Sequence, residues 1–126
     1  MPLVRIDLRH GKSAAYKKAI SDGVYQALCE IFSVPENDRF MVVTDLADED
    51  FIYEPSYLGI AHGTDFVILQ ITVTNTRTVE QKQALYARIV ELLGKNPGIR
   101  PQDVIINLID VGRENWSFGN GIAQYV

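Results

Sequence analysis

The sequence predicts an α/β (α+β) fold: duplicated βαβ units forming a four-stranded mixed sheet, with two helices on one face. Three observations predict it. Strand-like alternation gives way to helix-like periodicity and then to a second strand, twice along the chain. The two halves, about residues 2–43 and 67–108, align without a gap at an offset of 65 positions. Ile6 then falls on Ile71, Lys17 on Lys82, Ala19 on Ala84, Leu28 on Leu93 and Asp38 on Asp103. The strand faces agree too, with Pro2, Val4, Ile6 and Leu8 matching Val67, Leu69, Ile71 and Val73. The shared order of cap, stripe, turn and strand carries the duplication. Right-handed crossovers would make each pair of strands parallel. A single domain over residues 1–126 is expected, long enough for a real core.

The first strand begins at Met1-Pro2 and sets Pro2, Val4, Ile6 and Leu8 against Leu3, Arg5 and Asp7. Arg9-His10-Gly11-Lys12 turns the chain, and Ser13 is a good helix N-cap. Ile20, Val24, Ala27, Leu28 and Ile31 repeat at helical spacing and define a buried stripe. Cys29, the sole cysteine, sits among them as a buried structural thiol and excludes an internal disulfide. The helix stops before Pro35, which pushes its predecessor out of the α region. Pro35-Glu36-Asn37-Asp38 is a turn by residue type, and Phe40 to Val43 the second strand.

Residues 44–65 form a polar, irregular excursion in which Phe51-Ile52-Tyr53 reads as a short strand or hairpin arm. The acidic cluster of Asp45, Asp48, Glu49, Asp50 and Glu54 reads as a solvated loop. Phe66 to Thr74 is the strongest strand pattern in the chain. Thr78, with Gln81 three residues on, is a capping box. Leu85, Ile89, Leu92 and Leu93 supply the second helix's stripe, Pro97-Gly98 ends it, and Val104 to Ile109 is the closing strand. The remaining sheet face carries Leu3, Arg5, Asp7, Ile68, Gln70 and Thr72. A mixed face of this kind is either covered by identical subunits or left wet, and we expect a homo-oligomer.

Hydrophobic residues make up 47% of the chain, which argues against disorder. A net charge of −4 argues against a nucleic-acid partner. No membrane partner is expected either, because the longest apolar stretch, Phe66 to Val73, is too short to span a bilayer. No signal peptide is visible, and a cytoplasmic protein is expected. His10 and His62 lack the spacing of a metal site.

Chemistry enters at the amino terminus. Met1 is the kind of initiator that is trimmed before a small second residue, which would leave Pro2 as a secondary amine at the start of a strand. An α-amino group titrates near ~8, and apolar surroundings push it towards neutrality. Such an amine serves as general base, general acid or imine-forming nucleophile. The plain structural alternative is a proline tolerated at a strand's first residue. At the other end, Trp116-Ser117-Phe118-Gly119 is an aromatic, glycine-punctuated segment suited to lie over a pocket, over a neighbouring subunit or on the protein's own core. Arg77 stands between the buried strand and the Thr78 cap, where a guanidinium can meet an anion near a helix N-terminus. Asp38 could orient substrate or water, or simply close its turn.

An amino-terminal proline on a strand followed by a duplicated βαβ unit resembles the tautomerase superfamily. The chain is more closely similar to the malonate semialdehyde decarboxylase-like family. Met1-Pro2-Leu3, Val34-Pro35-Glu36-Asn37-Asp38-Arg39-Phe40, Arg77 with Glu80-Gln81-Lys82, Pro101-Gln102-Asp103-Val104-Ile105 and Trp116-Ser117-Phe118-Gly119 carry the resemblance over nearly the whole chain. It implies Pro2 as the catalytic proline, Asp38 as the acid that assists it, and Arg77 as one of two arginines on the substrate carboxylate. The second arginine falls at Asn75, a departure that leaves only a neutral hydrogen bond there. Trp116 and Phe118 match the aromatic wall. The resemblance further implies a homotrimer and cofactor-free tautomerase, decarboxylase or hydratase chemistry on small oxo-, enol- or unsaturated carboxylic acids. The alternative is a non-catalytic trimeric binding protein that keeps the fold.

Overall fold

A computed structural model describes residues 2–126; Met1, and with it the expected trimming, lies outside the described residues. Strand β1 (Leu3–Arg9) buries every second residue, Val4, Ile6 and Leu8, as a period of two requires. Helix α1 (Ala14–Phe32) starts at Ser13, whose Oγ accepts the Tyr16 N–H at 3.1 Å. It ends as Ser33 turns left-handed (φ 55°) and the Val34 N–H reaches back to the Leu28 carbonyl at 3.3 Å. Strand β2 (Phe40–Leu46) runs parallel to β1.

The second unit repeats the first. Strand β5 (Val67–Thr74) leads into α2 (Val79–Lys95) through a complete capping box. Thr78 Oγ1 accepts the Gln81 N–H at 3.2 Å, and Gln81 Oε1 accepts the Thr78 N–H at 2.8 Å. Strand β6 (Val104–Val111) then pairs parallel with β5. The sheet order is β2-β1-β5-β6, with β1 and β5 antiparallel at the centre. The duplication extends to an ion pair that occurs in both halves. Lys17 Nζ meets Asp45 at 2.8 Å, and 65 positions later Lys82 Nζ meets Asp110 at 2.6 Å.

Both helices cover one sheet face. Ile20, Val24, Ala27 and Leu28 from α1 and Leu85, Ile89 and Leu93 from α2 meet the inward residues of β1 and β5 in one core. Gly23 lets the helices approach, since a Cβ there would stand 3.0 Å from Leu93 Cδ2. The opposite face is mixed: Leu3, Phe40, Val42 and Ile105 are exposed, while Gln70 bonds Asn107 across β5 and β6 at 3.2 Å. Among the described residues no helix is long and apolar enough to cross a membrane.

Several expectations need correcting. The hairpin lies not at Phe51-Ile52-Tyr53 but at β3 (Ser56–Tyr57) and β4 (Ile60–Ala61). Leu58 (φ 50°) and Gly59 (φ 76°) provide the two left-handed residues such a tight turn needs. Phe51 is instead buried, and Tyr53 stacks on Phe66 with centroids 4.4 Å apart. The acidic stretch is partly paired, because Asp45 ends in β2 beside Lys17 and Asp48 meets Arg9 Nε at 3.1 Å. Cys29 is half-buried, not buried. Strands β2 and β6 run on to Leu46 and Val111, because β1 and β5 supply ladder partners that far.

Asp103, the repeat partner of Asp38, is tightly held. It accepts the Gly63 N–H at 2.6 Å and the Arg100 Nε–H at 3.0 Å, with its side chain only 3% exposed. Burial alone would raise its pKa, but the Arg100 and Gly63 hydrogen bonds outweigh it and hold the carboxyl below the usual aspartate value. A depressed folded pKa means stability that is present above the unfolded value of ~3.9 and lost as pH falls through the folded one. Asp103→Asn should therefore cost about 1–3 kcal/mol at pH 7, with the gap to wild type closing below about pH 4. Denaturant titrations at both pH values measure it, and equal stability at pH 7 would contradict it.

Candidate active site

Strand register brings the amino terminus to the middle of the sheet. Leu3 pairs with Phe40 on β2 and with Thr72 on β5, so the preceding Pro2 falls between Arg39 and Val73. Pro2 is buried. On the β2 side the chain arrives through a turn in which the Asp38 N–H bonds the Pro35 carbonyl at 3.2 Å and Asn37 is left-handed (φ 71°). The turn is clamped from α1: the Asn37 N–H donates to the Tyr25 hydroxyl at 3.2 Å, while Arg39 stacks over the Tyr25 ring and bonds Asp22 at 2.7 Å. Hydrogen bonds from Lys18 and then Arg39 hold the Asp22 carboxyl below its ordinary value. Asp38 is thereby fixed, half-buried, beside the start of β1.

The carboxy-terminal segment closes over this end. Trp116 and Phe118 stack with centroids 5.4 Å apart and planes 18° from parallel, and Tyr125 meets Phe118 edge-on at 4.9 Å. The segment between them is a tight loop with left-handed Asn120 and Gly121. Gln124 locks it, accepting the Phe118 N–H and donating to the Gly119 carbonyl, both at 3.0 Å. The result is a cavity of about 210 Å³ lined by Asn37, Asp38, Phe40, Phe118 and Tyr125. A second cavity, of about 240 Å³, is lined by Thr74, Thr76, Arg113 and Tyr125. Tyr125 lines both; one cavity borders the start of β2 and the other the end of β5, the two strands that flank the start of β1.

Pro2, Asp38, Trp116 and Phe118 therefore come together at one sheet end. Arg77 and Asn75 adjoin the second cavity in sequence, beside its lining residues Thr74 and Thr76, but line neither cavity themselves. Arg77 donates to the Phe32 carbonyl at 3.0 Å and the Thr74 carbonyl at 3.4 Å, and its guanidinium stacks on the Phe32 ring at 4.8 Å. Asn75 is exposed, and its backbone N–H bonds the Val111 carbonyl at 3.0 Å. Sequence reasoning missed Tyr125, Phe40, Thr74 and Arg113 as lining residues. Phe40 sits in a matched motif, but the other three carry no local signal, because the ends of β5 and β6 and the terminal loop meet only in the fold. A larger, mainly apolar groove of about 490 Å³, between the β3–β4 hairpin and the start of β6, lies at the opposite end of β1.

The profile of a family described as "Tautomerase enzyme" matches residues 38–119, and a second profile of that description matches residues 2–61. The chain belongs to the tautomerase family. The probable tautomerase YusQ of Bacillus subtilis (strain 168) is 37% identical over 126 residues, covering 100% of this chain and 99% of that protein. Among solved structures, FG41 malonate semialdehyde decarboxylase inhibited by 3-bromopropiolate superimposes with a TM-score of 0.90 at 37% identity, covering 98% of this chain and 93% of that one. A second malonate semialdehyde decarboxylase, described by its decarboxylase and hydratase activities, gives a TM-score of 0.90 at 32% identity, covering 98% and 95%. The four-stranded sheet and two-helix layer are thus the tautomerase fold, and the relatives place this chain with enzymes of the isomerase and decarboxylase kind.

Proposed function

We propose that this tautomerase-family chain is a cofactor-free enzyme that uses the amine of Pro2 for acid–base chemistry on small oxo-, enol- or unsaturated carboxylic acids. The observation that carries the reading is the convergence of buried Pro2, Asp38 and an aromatic wall at one end of β1, in a chain end-to-end similar to malonate semialdehyde decarboxylases. A neutral Pro2 amine takes the hydroxyl proton of an enol acid and returns a proton to its carbon. A protonated Pro2 instead polarises a carbonyl, or protonates the carbanion left as carbon dioxide departs. Asp38 favours the charged amine or orients a water, and the rings of Phe118 and Tyr125 keep bulk water from the reacting atoms. Arg77 has N–H groups beyond the two bonded to carbonyls, and these serve the substrate carboxylate. Asn75 adds a neutral hydrogen bond.

Turnover of a panel of oxo-, enol- and unsaturated acids tests the reading, together with the intact mass of the purified chain. Pro2-dependent turnover in chains lacking Met1 supports it. A retained Met1 with no turnover overturns it and leaves the alternative of a binding protein that keeps the fold.

The same proposal includes a homotrimer, in which the exposed apolar residues Leu3, Phe40, Val42 and Ile105 are covered by neighbouring copies. Sedimentation at micromolar concentration should give three times the 14.2 kDa chain mass. A monomer at that concentration would contradict it.

A further inference from the structure

The β5–α2 corner and the end of β6 are joined by the Thr74–Val111 register and by the Asn75 N–H on the Val111 carbonyl, 3.0 Å away. Arg113, in the 3₁₀ turn Arg113–Asn115 just past β6, is thereby held at the cavity that Thr74, Thr76 and Tyr125 also line. Four arginines of this acidic chain are ion-paired, Arg9 with Asp48, Arg39 with Asp22, Arg88 with Glu30 and Arg100 with Asp103, whereas Arg5, on the exposed sheet face, and Arg113 are not paired among the described residues. Among the described residues the Arg113 guanidinium has no hydrogen bond or ion pair. The nearest carboxylate in sequence, Glu114, packs on Gly112 instead, where a Cβ would stand 2.5 Å from Oε1. A second feature of the same cavity points to a ligand. Thr74 is only 7% exposed, and its Oγ1 has no hydrogen-bond partner. A buried hydroxyl without a partner is destabilising, a penalty that a ligand oxygen would remove.

We propose that this cavity is a carboxylate subsite in which Arg113, with the Thr74 hydroxyl, supplies the second cationic grip that Asn75 cannot. The proposal rests on the acid-directed reading above and locates the substrate's carboxylate. The planar fork of Arg113 takes the two oxygens, Thr74 Oγ1 donates to one of them, and the carbon skeleton extends past Tyr125 towards Pro2. The cation thus reaches the site from the end of β6, whereas position 75 lies at the end of β5.

Arg113→Gln keeps the size and removes the charge. It should raise KM for a turned-over oxo acid roughly 10- to 100-fold, as loss of a charge-assisted bidentate contact does, with kcat little changed. The methyl ester of the same acid should show no such change, and Arg113→Lys should recover part of the loss. Thr74→Val should raise KM for the acid a few-fold in the same direction. A direct measurement separates this proposal from the enzymatic one: malonate binding, followed by calorimetry on wild type, Pro2→Ala and Arg113→Gln. Binding by the first two and loss in the third supports the subsite even where no acid is turned over, in which case only the enzymatic reading fails. Unchanged malonate affinity and unchanged KM in Arg113→Gln overturn the subsite, while Pro2-dependent turnover would leave the enzymatic reading standing.

Discussion

Pro2→Ala, in a chain freed of Met1, is expected to keep its fold and lose roughly 10²- to 10⁴-fold in kcat, the usual size of a lost acid–base group. The variant still ends in an amine, so some proton transfer survives. What goes is a secondary amine whose ring fixes the direction of its lone pair at the head of β1. A primary amine on alanine turns freely about its bond to Cα and is solvated more easily, so its proton is placed less often over the substrate. The fold survives because β1 is held on both sides, by parallel pairing to β2 and antiparallel pairing to β5 from Leu3 onwards. Losing part of the buried ring costs about 1–2 kcal/mol of stability at most. Turnover on the best acid, circular dichroism and intact mass check this together. Unchanged kcat in a folded chain of the trimmed mass would end the proline mechanism.

The largest effect on stability is expected at the helix interface. Leu93→Ala should cost about 3–5 kcal/mol, towards the upper part of the range for buried leucines. Leu93 is fully buried, and its Cδ2 fills the space above Gly23 on the facing helix. Removing it leaves a void bounded on one side by a residue with no side chain to move in, so the site cannot collapse well. Adding Gly23→Ala should return part of the loss, since the new methyl enters the space Leu93 has left and alanine suits a helix interior better than glycine. Denaturant unfolding followed by the lone Trp116, at a fixed protein concentration, measures both steps. A loss below about 1 kcal/mol in Leu93→Ala would show that the helices close the gap by moving.

The periodic parts of this protein were legible in its residues. Ser13 and Thr78 cap the helices as read, and Val4, Ile6, Leu8, Leu69 and Ile71 form the sheet's inner face. Those signals are local, set by the two-residue period of a strand and the capping needs of a helix. The hairpin was misplaced because Phe51-Ile52-Tyr53 has a strand's composition without a partner strand, whereas Leu58 and Gly59 bend the chain by a conformation that composition does not announce. The resemblance named Pro2, Asp38, Trp116 and Phe118, and the fold brings them to one end of the sheet. It also named Arg77, which the structure ties to the Phe32 and Thr74 carbonyls. Tyr125, Thr74 and Arg113 became neighbours only through tertiary pairing. The Thr74–Val111 register and the terminal loop bring together residues more than 35 positions apart, and no local period encodes a meeting at that distance.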